Sequence, residues 1–149
     1  MFHLLSDSEV ALNELLIACR ESVDHYQDAT ELVEHSDIAE SFRQIANQRK
    51  LFLNRLESAI RELGDLPSVP DPDKEAGAMI LHHLGAALSP DYTNELLAQR
   101  IAAEEHILTL IDQARATKLN PSCAALLTDL ASHVAQTSKL FSATSIEPE

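Results

Sequence analysis

Apolar positions in this chain recur at spacings of four and three over four separate stretches, the signature of helices that each bury one face. The first stripe is Leu12, Leu16, Cys19, Val23, Tyr26, Thr30 and Val33. Ser6 followed by Glu9 has the form of a capping box, so a helix is predicted from Ser6 to about Glu34. The second stripe is Ile38, Phe42, Ile45, Arg49, Phe52, Leu56, Ala59 and Leu63, opened by Asp37 with Glu40 as its cap and closed by Gly64. The short turn between the two implies an antiparallel hairpin. Ser89-Pro90 starts the next long helix, Ser as N-cap and Pro at the first position, and it runs to about Lys118. Its stripe is Leu97, Ile101, Glu104, Leu108 and Ile111. Asn120-Pro121 repeats that device for the last helix, which carries Cys123, Leu127, Leu130, Val134, Thr137 and Phe141. Ser142 to Glu149 reads as a frayed tail.

Between the second and third long helices the pattern breaks. Leu66-Pro67-Ser68-Val69-Pro70-Asp71-Pro72 cannot be helical, because its prolines remove backbone donors and clash with the preceding turn. Asp73 to Leu88 then reads as a shorter helix with Ala76, Ile80, His83 and Ala87 on one side. Extended residues plus that helix could reach about 50 Å, longer than the bundle itself. The expected fold is therefore all-α: a four-helix bundle with an additional short helix in an end-to-end crossover between helices 2 and 3. A simple up-down-up-down bundle is the alternative. Neither side of the linker has enough apolar stripe to stand alone, so residues 1–149 are read as a single domain.

Composition agrees with helix and limits the partners. Apolar residues make up 45% of the chain and aromatics only 4%, and Trp is absent. The formal charge of −13 argues against nucleic acid, whose phosphates are bound by Lys and Arg, and against an anionic membrane surface. It remains compatible with a basic protein partner or a homo-oligomer, and with the solubility of a cytoplasmic protein. No apolar run reaches the ~18 residues of a membrane span. MFHLLSDSEV lacks the basic region and long apolar core of a signal peptide, which points to a cytoplasmic location. The two cysteines, Cys19 in mid-helix and Cys123 at a helix start, would lie about 18 Å apart along the bundle, too far for a disulfide.

The chemistry gathers at mid-helix. Cys19, Arg49, Glu104 and Thr137 all fall near the middle of their helices on the inward stripe, Gln48 is one residue from Arg49, and His133 is one turn from Thr137. A buried carboxylate is costly unless paired, so Glu104 needs a partner. One reading is a structural layer: an Arg49–Glu104 pair, with Gln48, Thr137 and Cys19 completing its hydrogen bonds. The planar guanidinium fork matches a carboxylate, and such a pair fixes register more surely than it adds stability. The other reading is a metal site of iron or manganese inside the bundle, built on Glu104, His133 and Cys19. A cation such as Arg49 would oppose the metal's charge. Cys19 beside Arg49 could also have a lowered pKa and redox activity, although buried cysteines are more commonly inert core residues.

Leu12-Asn13-Glu14-Leu15, followed by Cys19-Arg20-Glu21-Ser22 and Tyr26, resembles the first helix of a bacterial domain-of-unknown-function family in the ferritin-like superfamily, described as rubrerythrin-related. Phe42-Arg43-Gln44 with Gln48-Arg49, and Ala103-Glu104-Glu105, extend the resemblance through about Leu12 to Leu140. It implies a ferritin-like bundle. The di-iron proteins of that superfamily use a Glu on each of two helices and an ExxH on each of the other two. Carried over, these positions hold Cys19, then Ile45 and Gln48, then Glu104, then Val134 and Thr137. Only Glu104 matches, so the resemblance implies no standard di-iron centre.

The other candidates are weaker. Glu21 and His25, and Glu31 and His35, are neighbours four apart and read as surface pairs. Glu104 and His106 are about 200° apart round the helix and cannot share an ion. At least one of His82 and His83 should be solvated. The functional expectation is a ferritin-like bundle without catalytic residues or cofactor, acting through its surface or as an oligomer. The alternative is an atypical di-metal oxidoreductase or a stress-related peroxide- or iron-handling protein.

Overall fold

A computed structural model describes residues 6–33, 36–64 and 90–144. Four helices occupy them: α1 Asp7–Leu32, α2 Ser36–Glu62, α3 Pro90–Arg115 and α4 Pro121–Ala143. No strand occurs among the described residues. The expected short helix from Asp73 to Leu88, with His82 and His83, lies outside them.

Local chemistry sets most of the ends. The Ser6 side chain accepts from the Glu9 N–H and the Asn120 side chain from the Cys123 N–H, at 3.2 and 2.8 Å, so both expected caps form. Asp37 is not the cap of α2. The helix already begins at Ser36, and Asp37 sits in its first turn, where a carboxylate offsets the positive end of the helix dipole. Gly64 ends the α2 segment with φ +90, a left-handed conformation that costs glycine nothing. The C-terminal reading shifts as well: α4 continues through Ala143, and Ser142 is still inside it.

Each helix packs against two others. α1 neighbours α2 and α3, and α4 neighbours α3 and α2, while α1 and α4, like α2 and α3, stand on diagonals. The core divides into two clusters that reveal direction. Leu12, Leu15 and Leu16 from the start of α1 meet Leu56 and Ile60 from the end of α2, Ile107 and Ile111 from the end of α3, and Leu127 and Leu130 from the start of α4. Tyr26 and Val33 from the end of α1 meet Phe42 from the start of α2, Leu96 and Leu97 from the start of α3, and Phe141 from the end of α4. All four adjacent pairs are thus antiparallel and both diagonal pairs parallel. The up-down-up-down alternative fails here, because it would make α2 and α3 antiparallel neighbours. The chain leaves α2 at one end of the bundle and enters α3 at the other, as a crossover requires.

The buried face of α3 is wider than its seven-residue stripe. Leu97, Glu104 and Ile111 are buried as expected and Ile101 and Leu108 only half-buried, while Thr93, Leu96, Arg100, Ile107, Leu110 and Ala114 are buried as well. A helix that contacts two neighbours needs a broader apolar arc than a two-stranded seam.

Candidate functional site

One residue layer collects polar side chains from all four helices, between the leucine-rich cluster at one end and the aromatic cluster at the other. Arg49 on α2 and Glu104 on α3 are its centre, and each is 0% exposed. Both lie on inward stripes of long, well-formed helices, so burial is imposed on them by the apolar residues a turn either side. The contact is bidentate: Arg49 Nη1 donates to Glu104 Oε2 at 2.7 Å and Nη2 to Oε1 at 2.6 Å. That fork-to-fork geometry is the strongest form of a charged hydrogen bond.

Further hydrogen bonds surround the pair. Nη1 of Arg49 donates to Ser22 Oγ at 3.1 Å, and Ser22 Oγ in turn donates to the Cys19 carbonyl at 2.6 Å. Arg49 Nε donates to His133 Nε2 at 3.3 Å, which makes that nitrogen an acceptor. Tyr26 donates its phenol hydrogen to Glu104 Oε1 at 2.8 Å. The Arg49 and Arg100 guanidinium carbons also lie 5.6 and 5.2 Å from the Tyr26 ring centroid. A carboxylate paired with one guanidinium and accepting from a phenol meets the condition under which buried charge is tolerated.

Of the residues expected here, Arg49 and Glu104 meet directly and Cys19 joins through its carbonyl. Gln48 does not join, because it is exposed on the outer side of α2. A helix turns about 100° per residue, so the position next to an inward residue rarely shares its environment. Thr137 is buried but donates to the carbonyl of His133 at 2.9 Å, serving its own helix rather than the ion pair. Glu104 is buried and His106 exposed, so they point apart. Glu21 and His25 are half-buried rather than free surface residues. His35 lies outside the described residues. Ser22, Tyr26 and Arg100 are the members sequence reading did not assign to the layer. Ser22 and Tyr26 carried a signal: they lie three and seven residues from Cys19, on the same side of α1.

Electrostatics follows from burial. Desolvation pushes the Cys19 thiol up to about 12, with Arg49 pulling against it and Glu104 adding to it. Cys19 is therefore no low-pKa thiol and fits the inert core reading rather than the redox alternative, since desolvation outweighs a nearby cation. Burial also raises the Tyr26 phenol, and the Glu104 carboxylate raises it further. Burial would lower Arg49, but the hydrogen bonds and charge of Glu104 win and its pKa rises. His133 moves the other way, held down at about 4 by burial first and Arg49 second. Both cysteines are free thiols in buried positions.

A metal fits this layer poorly. Both oxygens of Glu104 are taken by a guanidinium, and the His133 nitrogen that faces the layer already accepts from the same guanidinium. Among the described residues, no group of three or more His, Cys, Asp and Glu side chains is placed to hold an ion. Elsewhere, a groove of about 280 Å³ opens between α2 and α4, lined by Asn54, Arg55, Ser58, Glu62, Ser122 and Cys123 among others. It lies at the leucine-rich end, away from the layer. No helix among the described residues is long and apolar enough to cross a membrane.

A family model described as a domain of unknown function, DUF2383, matches residues 7–118, from the first residue of α1 to the turn after α3. The chain belongs to the DUF2383 family. The match includes Ser22, Tyr26, Arg49 and Glu104, and it stops before α4, which brings His133 and Phe141. No curated protein and no solved structure matches the chain.

Proposed function

We propose that this DUF2383 protein is a ferritin-like, rubrerythrin-related bundle of bacterial type in which an ion pair stands where such bundles hold metal. In this reading it is a non-catalytic cytoplasmic protein that works through its surface or as a homo-oligomer. The observation that carries the proposal is the bidentate seat of Arg49 on Glu104. A guanidinium supplies the positive charge that a buried carboxylate needs, and it repels a second cation from the same place. The antiparallel neighbours and parallel diagonals give the connectivity of ferritin-like folds, which supports the relationship. The charge of −13 supports a protein partner over nucleic acid.

The experiment is metal analysis of the purified protein, joined to an Fe(II) oxidation assay and melting with and without chelator. The expected result is no stoichiometric iron or manganese, Fe(II) oxidation no faster than in buffer, and a melt that chelator leaves unchanged. Two bound iron or manganese ions per chain would replace this reading with the oxidoreductase built on Glu104, His133 and Cys19. Sizing of the same sample decides between monomer and homo-oligomer.

A further inference from the structure

The seam between α2 and α4 is the sparsest of the four in the bundle. Among the side chains that cross it are Arg55, paired with Asp129, and His133. His133 on α4 takes the Arg49 Nε hydrogen on Nε2 and stacks its ring on Phe52 of α2, with centroids 5.2 Å apart and planes 26° from parallel. Unlike Arg49 and Glu104 it is half-buried, so a proton from solvent can reach the ring. Its role as acceptor holds only while Nε2 keeps its lone pair.

We propose that His133 is an acid-operated latch across this seam, closed when neutral and released by protonation. A proton on Nε2 removes the acceptor for Arg49 Nε and sets an imidazolium beside the guanidinium. Both consequences separate α4 from α2. They leave the bidentate Arg49–Glu104 bonds in place, since those use the two Nη atoms.

The charged surroundings favour the neutral form. From α2, Arg49 faces the ring directly, while Arg55 is engaged with Asp129 of α4 at 3.1 Å. From α3, Glu104 attracts a proton, but Arg49 already neutralises that carboxylate. From α1, Cys19 and Tyr26 are uncharged, their pKa values raised by burial. Desolvation and Arg49 therefore outweigh Glu104, and the imidazole is held down at about 4. The sign follows: an opened state, with the ring in water near its ordinary pKa, binds a proton that the closed state refuses. Opening is then favoured progressively as pH falls from about 6.5 toward 4, by at most about tenfold per pH unit. This latch does not depend on what the surface of the protein binds.

The test is amide hydrogen exchange at pH 7 and pH 4.5, corrected for the intrinsic rate at each pH, on wild type and His133→Gln. Glutamine keeps an oxygen acceptor near Nε2 and does not titrate. In wild type, protection of α4 should fall at least tenfold more than protection of α1. In His133→Gln that excess should disappear. An equal acid response of α4 in both proteins, or none in wild type, overturns the latch. Should the variant fold poorly, ¹⁵N spectra of the wild-type histidines decide. A His133 ring protonated on Nδ1 alone down to pH 5 supports the latch, and a midpoint near 6.5 removes it.

Discussion

Arg49 and Arg55 lie six residues apart on α2, and each reaches a carboxylate on another helix. Arg49 meets Glu104 at 2.6 Å with both side chains 0% exposed, while Arg55 meets Asp129 at 3.1 Å with side chains 45% and 57% exposed. The two contacts have the same chemistry and opposite standing. Water can replace either partner of the outer pair, and salt screens it. Nothing can replace a partner of the inner pair, so the inner contact is held by the cost of breaking it rather than by the gain from making it. Arg55 also lies over the Phe52 ring at 5.5 Å, so part of its role is packing. The inner pair has further consequences that the outer lacks: it recruits Ser22, Tyr26 and His133 and ties all four helices to one register.

Breaking the inner pair should have the largest effect. Glu104→Ala strands Arg49 in a dry layer and is expected to cost about 3–5 kcal/mol in urea denaturation. Glu104→Leu combined with Arg49→Met removes both charges at similar volume, and most of the loss should return. A double variant no more stable than Glu104→Ala would show that the pair was not the reason for the loss.

Tyr26→Phe tests the next shell at smaller scale. It removes one donor from an ionised carboxylate but keeps the ring that packs on Phe42 and Phe141, at 5.6 and 5.9 Å between centroids. The expected cost is about 1.5–3 kcal/mol, the range for a hydrogen bond to a charged group. A neutral result would mean that Arg49 alone satisfies Glu104.

Asp129→Asn should have the smallest effect. It discharges the outer pair without touching the Arg55–Phe52 contact. Stability should change by no more than about 0.5 kcal/mol, and the difference should vanish in high salt. A loss comparable with that of Glu104→Ala would erase the distinction between the two pairs.

The four-three spacing of apolar residues was enough to read four long helices and the inward placement of Arg49 and Glu104, and the polar residues at Ser6 and Asn120 gave two of the caps. Each of these depends on neighbours within a turn or two along the chain, where helical geometry is regular. The pairing of Arg49 with Glu104 was also legible, because a carboxylate on an apolar stripe has few alternatives to a nearby cation. What required the tertiary structure was everything that turns on rotation and approach. Gln48 and Arg49 are adjacent in sequence, yet one is in solvent and the other has none, a difference of about 100° around the axis. Thr137 shares the stripe with Val134, but its hydroxyl donates to the His133 carbonyl of its own helix. Ser22 and Arg100 are buried because α1 and α3 bury arcs wider than the stripes that announce them, while Tyr26, already on its stripe, joined because its phenol reaches Glu104. The choice of crossover over up-down-up-down came from which helix ends share a core cluster. Local periodicity reports which face a helix buries, and only packing decides what that face meets.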